Sequence, residues 1–333
     1  LYQAQETVIA ITRPHKIECR MFHGRGGTLG RGGGPTHEAI LSQPASTVHG
    51  QIKFTEQGEV LSYKYSNAET AVYELSMGVT GLLKASRNIV LPEKDTCQSY
   101  AEVMHEITKA GESCYRDLID HTEGLLDYFY EATPVTEIGM LNIGSRPSHR
   151  KTQDRTKSSI RAIPWVFGWA QSRHTLPAWY GIGTALESWC AQDAGRIEQL
   201  REMYQHWPFF RALLSNTQMS LCKAEMDIAD EYHALASNSS TADPIFSLIR
   251  KEYERTVDFV KSAAHIDNLM EETPALALSL QRRNPYLDPL NHIQIKLLER
   301  IRNESLADAE QEKWLEPLLR TINAIAGGMR NTG

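Results

Sequence analysis

From Thr70 to its end the chain repeats one pattern, apolar residues at helical spacing, and nothing else in the sequence restricts the fold as much. The spacing predicts helices over 71–84, 98–117 and 118–132. Beyond a polar, basic interruption at 144–159 it predicts further helices over 179–191, 195–206, 209–235, 244–262, 274–280, 289–302 and 313–330. Strands have room only in what is left. Residues 2–11 read as the end of a helix stopped at Pro14, and 36–41 turn helical again. Residues 17–22 (IECRMF) are a short apolar run that stops at a glycine cluster, a strand pattern. Residues 49–56 and 59–65 flank Gln57-Gly58 and predict a hairpin, with Gly58 supplying the positive φ of a tight turn. Residues 160–167 (IRAIPWVF) are one more strand candidate, against which Pro164 counts. The expected architecture is predominantly α-helical with a few strands. Two of those strands run into glycine or basic loops, and loops after strand C-termini are where α/β barrels put their chemistry.

Composition narrows the class. Of 333 residues 41% are hydrophobic and 23% charged, with a net charge of -6. Such a chain is too apolar and too evenly charged to be disordered, and long enough for a sizeable core in two domains or one large barrel. It has no basic surplus of the kind a dedicated nucleic-acid binder shows, and no apolar run of the roughly 18 residues that would cross a membrane. The five cysteines, at 19, 97, 114, 190 and 222, are scattered and form no CxxC pair. They read as reduced structural thiols of a cytoplasmic protein rather than a zinc or redox site. Trp165, Trp169, Trp179 and Trp189 lie in apolar context and are expected in the core.

The segment 24–34 holds seven glycines in eleven residues. Glycine at that density loses much backbone entropy on folding, which is tolerated where the main chain takes unusual angles or approaches a ligand. Successive backbone N–H groups in such turns form anion-binding nests. Arg25 and Arg31 add planar guanidinium forks suited to carboxylate or phosphate, and His23 and His37 flank the segment. No Gly-Lys-[Ser/Thr] follows, so it is not a Walker loop, and its arginines do not suit a dinucleotide fingerprint. The stretch 23–37 is expected to be an anion loop, and 144–159 (GSRPSHRKTQDRTKSS) a mobile basic loop.

The run FHGRGGTLGRGGGPTH resembles the glycine-rich signature of phosphoenolpyruvate carboxylase. GSRPSHR, IRAIPWVFGWAQSRHTLPAWYGIGTAL, RRNPYLDPLN and the closing AGGMRNTG resemble further stretches of that family, in the family's order. The likeness spans residues 1–333, as one segment from the C-terminal part of a TIM-type α/β barrel with many extra helices. It implies carboxylation of phosphoenolpyruvate by bicarbonate to oxaloacetate and phosphate, an anaplerotic fixation of carbon, by way of carboxyphosphate and the enolate of pyruvate. Two anions must be brought together in that reaction, so cations and oriented dipoles have to offset their repulsion.

By the same resemblance Arg25, Arg31 and His23 are catalytic, and Gly26, Gly27, Arg146 and Arg161 bind substrate. The helical region 177–333 is expected to carry an allosteric inhibitor site for aspartate or malate, formed by Lys223, Arg283 and Asn331 together with Arg31. The family uses Mg²⁺ or Mn²⁺. Its metal ligands and catalytic histidine are expected upstream of this segment, so the chain alone is expected to be inactive. The implied partners are the missing N-terminal part and, in a homotetramer, further copies, with no nucleic acid and no membrane. A non-catalytic anion-binding module and one subunit of a split enzyme are the alternatives.

Overall fold

The computed structural model describes residues 2–24, 34–56, 58–91, 97–141, 156–157, 159–303, 305 and 307–330. They fall into two compact units, one of Leu1–His105 with Ile197–Asn216, the other of Glu106–Arg196 with Thr217–Gly333. Helix dominates both, as the periodicity requires. Among the described residues there are two strands.

The first unit opens with α1 (Tyr2–Thr12), followed by β1 (Phe22–Gly24), α2 (Thr36–Leu41), β2 (Lys53–Thr55), α3 (Gly58–Tyr65) and α4 (Ala68–Ala85). The strands pair in parallel, Phe22 with Lys53, His23 with Phe54 and Gly24 with Thr55, and α2 lies in the connection between them. This is a βαβ arrangement, since parallel neighbours need a crossover. Two expectations are corrected here. The strand read over 17–22 begins only at Phe22. The hairpin is absent: 53–55 is a strand, but 58–65 is a helix, and Gly58 is not among the glycines with positive φ. The reason is the burial period. Val60 and Lys64, four residues apart, are buried while Ser62 between them is exposed, so the segment presents a helical face. Lys64 draws α3 inward: its Nζ donates to Glu56 Oε1 at 2.8 Å and Thr36 Oγ1 at 2.9 Å. Helix α2 meets α4 where Gly81 leaves room for His37; a Cβ there would lie 3.3 Å from His37 Nδ1.

In the second unit α6 (Leu125–Glu131), α7 (Val135–Ile138), α8 (Ala162–Gln171), α12 (Met226–His233) and α13 (Ser239–Ala264) surround an aromatic core, and α9 (Ile182–Cys190) packs on α13. Trp169, Trp179, Phe129 and Tyr128 lie at its centre with Leu221, Ile245 and Ile249. The tryptophans are core residues, as their context predicts: Trp169 and Trp179 are fully buried and Trp189 nearly so, with Trp165 packed against them. The strand expected over 160–167 is instead the start of α8. Pro164 sits in its first turn, where a helix has no use for the missing N–H. The helix expected over 118–132 is also interrupted: Asp117–His121 forms a π-turn, and the chain re-enters helix at Leu125 through Gly124 at φ 77°. Helix α9 crosses α13 at Gly183, where a Cβ would come within 2.6 Å of Thr256 N.

The long helix expected over 209–235 is two helices, α11 (Pro208–Lys223) and α12. The cause is tertiary. The N–H of Glu225 donates to the carbonyl of Arg173 at 3.0 Å instead of continuing the helical ladder. The last carbonyls of α11 are taken by side chains: Ser220 by Thr175 Oγ1, Leu221 by Tyr253 Oη and Lys223 by Arg173 Nε. The unit closes with α14 (Pro274–Gln281), α15 (Asn284–Ile301) and α16 (Asp308–Met329), the last two packed together through Leu287, Leu290, Ile325 and Met329.

Candidate functional site

Of the residues expected to act, Arg25, Gly26, Gly27, Arg31, Arg146 and Asn331 lie outside the described residues. His23, Arg161, Lys223 and Arg283 lie within them.

Lys223 and Arg283 meet in the second unit, in a cluster of positive charge. Lys223 ends α11, Arg283 precedes the first turn of α15, and Arg330 follows the last turn of α16 at φ 50°. Burial pulls the Lys223 ammonium down to about 8, and the Arg283 and Arg330 guanidinium groups push it the same way. Burial and Arg330 also lower Arg283. Three cations from three helix ends thus repel one another, Lys223 and Arg283 partly buried and Arg330 exposed, and the groups that shift Lys223 are themselves cationic. Arg283 is anchored rather than loose: Nε donates to Ser279 O at 2.9 Å and Nη1 to Gly328 O at 2.6 Å. The second bond caps the carbonyl end of α16, which is held close to α15 because Gly328 has no side chain; a Cβ there would strike Leu287 Cδ2 at 2.5 Å. A cluster of this kind is chemically suited to a small di-anion.

His23 occupies the middle of β1, its ring 5.8 Å from that of Phe54 on β2. It stands one residue before the C-terminal end of a parallel strand, which leads into the glycine segment. Just past the matching end of β2 lies the buried pair Lys64–Glu56, with Glu74 3.6 Å from the ammonium. Sequence reasoning passed over that pair because residues 59–65 read as the second arm of a hairpin, which hides the spacing that places Lys64 beside Val60. Arg161 belongs to the second unit and precedes α8; its Nε is buried without an acceptor among the described residues. Near it Lys157, in the basic stretch, pairs with Asp120 of the π-turn. Arg330 was likewise overlooked, though it adjoins Asn331 in the closing motif.

The described residues hold no group of three or more His, Cys, Asp or Glu arranged to bind a metal ion. No described helix is long and apolar enough to cross a membrane. Cys19, Cys114, Cys190 and Cys222 are free thiols. Burial pushes the last three up, Cys222 to about 11, which keeps them protonated and unreactive at neutral pH.

The family model for phosphoenolpyruvate carboxylase matches residues 1–333. The chain belongs to this family. Among curated relatives, a phosphoenolpyruvate carboxylase from Rhodopseudomonas palustris is 43% identical over 337 residues, and one from Bradyrhizobium diazoefficiens 42% identical over 335. Each alignment covers 100% of this chain and 35% of the relative. The chain therefore spans about a third of the length of the carboxylases it matches.

Proposed function

We propose that this chain is the C-terminal part of an enzyme that carboxylates phosphoenolpyruvate with bicarbonate, and that it carries that enzyme's inhibitory dicarboxylate site. The observation that carries the reading is the family match along residues 1–333. The parallel pairing of β1 and β2 around an intervening helix supports their assignment as neighbouring strands of an α/β barrel. His23, one residue before the C-terminal end of β1, is on the side where barrels place their chemistry.

In this reading bicarbonate attacks the phosphoryl group, the bond from phosphorus to the enol oxygen breaks, and carboxyphosphate and the pyruvate enolate result. Carboxyphosphate yields CO₂ and phosphate, and C3 of the enolate captures the CO₂. Arg25 and Arg31 hold the phosphoryl and bicarbonate oxygens with His23 beside them, while the backbone at Gly26 and Gly27, with Arg146 and Arg161, binds the phosphate end. These cations offset the repulsion between two anionic reactants. Mg²⁺ or Mn²⁺ would be held by ligands of the upstream part; the described residues have no group of three or more His, Cys, Asp or Glu placed to bind it. A homotetramer in the cytoplasm completes the proposal.

Lys223 and Arg283, with Arg31 and Asn331, take the inhibitor, aspartate or malate. The Lys223, Arg283 and Arg330 cluster supports that assignment because a dicarboxylate would relieve its repulsion. An inhibitor that captures Arg31 withdraws the glycine loop from catalysis, a population shift rather than a direct block.

The test is oxaloacetate formation from phosphoenolpyruvate, bicarbonate and Mg²⁺, coupled to malate dehydrogenase, for the chain alone and joined to the upstream part of the Rhodopseudomonas relative. Activity only in the joined form, lost in Arg31→Ala and Arg161→Ala, is expected. No activity in the joined form would favour a regulatory module, and activity of the lone chain would refute the assignment of the metal and histidine upstream.

A further inference from the structure

Resting on the dicarboxylate reading of the Lys223–Arg283 cluster, we infer that Arg173 is the positioning residue of that site, its guanidinium joining the Lys223 carbonyl to the Asp288 carboxylate. Arg173 follows α8 in the run Gln171-Ser172-Arg173-His174-Thr175, five polar residues in a stretch that is otherwise apolar. Its side chain is only 1% exposed. Nε donates to Lys223 O at 3.0 Å and Nη1 to Asp288 Oδ1 at 3.0 Å. Asp288 lies in the first turns of α15, just beyond Arg283. One planar group therefore spans from the residue that ends α11 to the helix that begins at Arg283, and a planar fork fixes direction as well as distance.

The backbone of the same turn grips the same junction. The Arg173 carbonyl accepts from Glu225 N, and Thr175 Oγ1 donates to Ser220 O, so Lys223 is held from both sides. The turn is costly to form. Arg173 and Thr175 both sit at positive φ, 60° and 45°, where a side chain is disfavoured. Burial of the guanidinium disfavours its charge, and Asp288, itself 37% exposed, only partly offsets this. An apolar side chain of similar volume would fill the space without burying a charge, although the strain of the turn would remain. Strain and a buried charge that converge on one helix junction indicate a position held for function rather than for packing.

The two interactions also locate what would be lost. Without the Asp288 bond the guanidinium can still cap α11, but α15 is freed from it, and Arg283 shifts relative to Lys223. A lysine at 173 reaches one partner and not both. Either change should loosen the spacing of the ligand cations while leaving the aromatic core intact.

The test is calorimetric titration of L-malate into this chain and into Asp288→Asn, Arg173→Lys and Lys223→Met, with thermal melts of each. The expected result is a rise in malate Kd of roughly three- to tenfold in D288N and R173K, at a temperature where both remain folded, and no detectable binding in K223M. If D288N and R173K melt lower but bind malate as the parent does, Arg173 is purely structural and the inference fails, while loss of binding in K223M would leave the site reading standing. If K223M binds malate unchanged, the site reading itself fails. Should R173K not fold, D288N decides the matter alone: it keeps the shape but replaces the charge-assisted bond to Arg173 with a weaker neutral one.

Discussion

Malate binding to this chain should weaken as pH rises through about 8, because one of the three clustered cations loses its charge there. Burial, reinforced by Arg283 and Arg330, holds Lys223 near 8, well below an ordinary lysine. With a value of about 8, Lys223 is about nine-tenths charged at pH 7 and about one-tenth charged at pH 9. A bound dicarboxylate favours the ammonium, so the complex takes up a proton wherever free Lys223 is neutral. The sign is then fixed: affinity is full below pH 8 and falls about tenfold between pH 7 and pH 9. Malate is the better probe than aspartate, since it has no amine to titrate in the same range. Calorimetry in two buffers of different ionisation enthalpy measures the proton uptake directly, and it should rise from near zero at pH 7 toward one per malate at pH 9. A Kd that stays flat between pH 7 and pH 9 would refute the argument, as would a slope that persists in Lys223→Met with any residual binding.

The cluster's repulsion also bears on stability. Lys223→Met removes a desolvated cation and keeps the volume, so it should raise Tm by about 2 °C or more at pH 7 while malate binding is lost; a lower Tm would mean that the ammonium contributes to the fold. Gly183→Val sets a branched side chain where even a Cβ lies 2.6 Å from Thr256 N, and should destabilise the second unit by at least about 1–3 kcal/mol, read as a lower urea midpoint. Trp169→Ala empties the centre of the aromatic core and should cost about 3–5 kcal/mol in the same assay. Glu137 is buried and bound by Arg302 through both carboxylate oxygens at 2.9 Å; Glu137→Ala should cost about 3–5 kcal/mol, and an unchanged midpoint would show that the guanidinium finds water instead.

The helices were legible because their apolar period is strong and the predicted and observed spans differ mostly at the ends. Prolines misled only locally: Pro244 and Pro289 were read as starts, yet α13 begins at Ser239 and α15 at Asn284. The strands were less legible for a physical reason. β1 and β2 are three residues each and pair in parallel across an intervening helix, so neither shows the extended alternation that marks a hairpin. The α11–α12 break was invisible because its cause, the carbonyl and guanidinium of Arg173, lies some fifty residues away in sequence and acts only once the fold brings it in. Lys223 and Arg283 were found only through the family resemblance; nothing in their local sequence separates them from surface cations. The partners that give them meaning, Arg330 and the Gly328 carbonyl, come from the other end of the unit.

Most of the second unit obeys one rule, apolar side chains turned to a common core with most polar atoms paired; Trp169 Nε1, Trp189 Nε1 and Asn291 Oδ1 are buried with no partner among the described residues. His174 shows how far the rule extends: it is fully buried, burial pushes it down to about 3, and as a neutral ring it exchanges hydrogen bonds with Tyr128 and Ser172. Several departures from the rule lie next to it, while His265 and Met270 take positive φ elsewhere in the unit. Two residues at positive φ, a buried guanidinium and three mutually repelling cations occupy the turn after α8 and the helix ends it touches. A chain selected for stability alone would scatter such costs or replace them with apolar contacts. Their concentration around Lys223 has a simpler account. The packing of α15 on α16 and the Arg283–Gly328 bond hold the cations in place before any ligand arrives, so a dianion meets a charge already desolvated and oriented. On the dicarboxylate reading, the repulsion among these cations would be the source of affinity, and the rigid core beside them would allow that repulsion to persist.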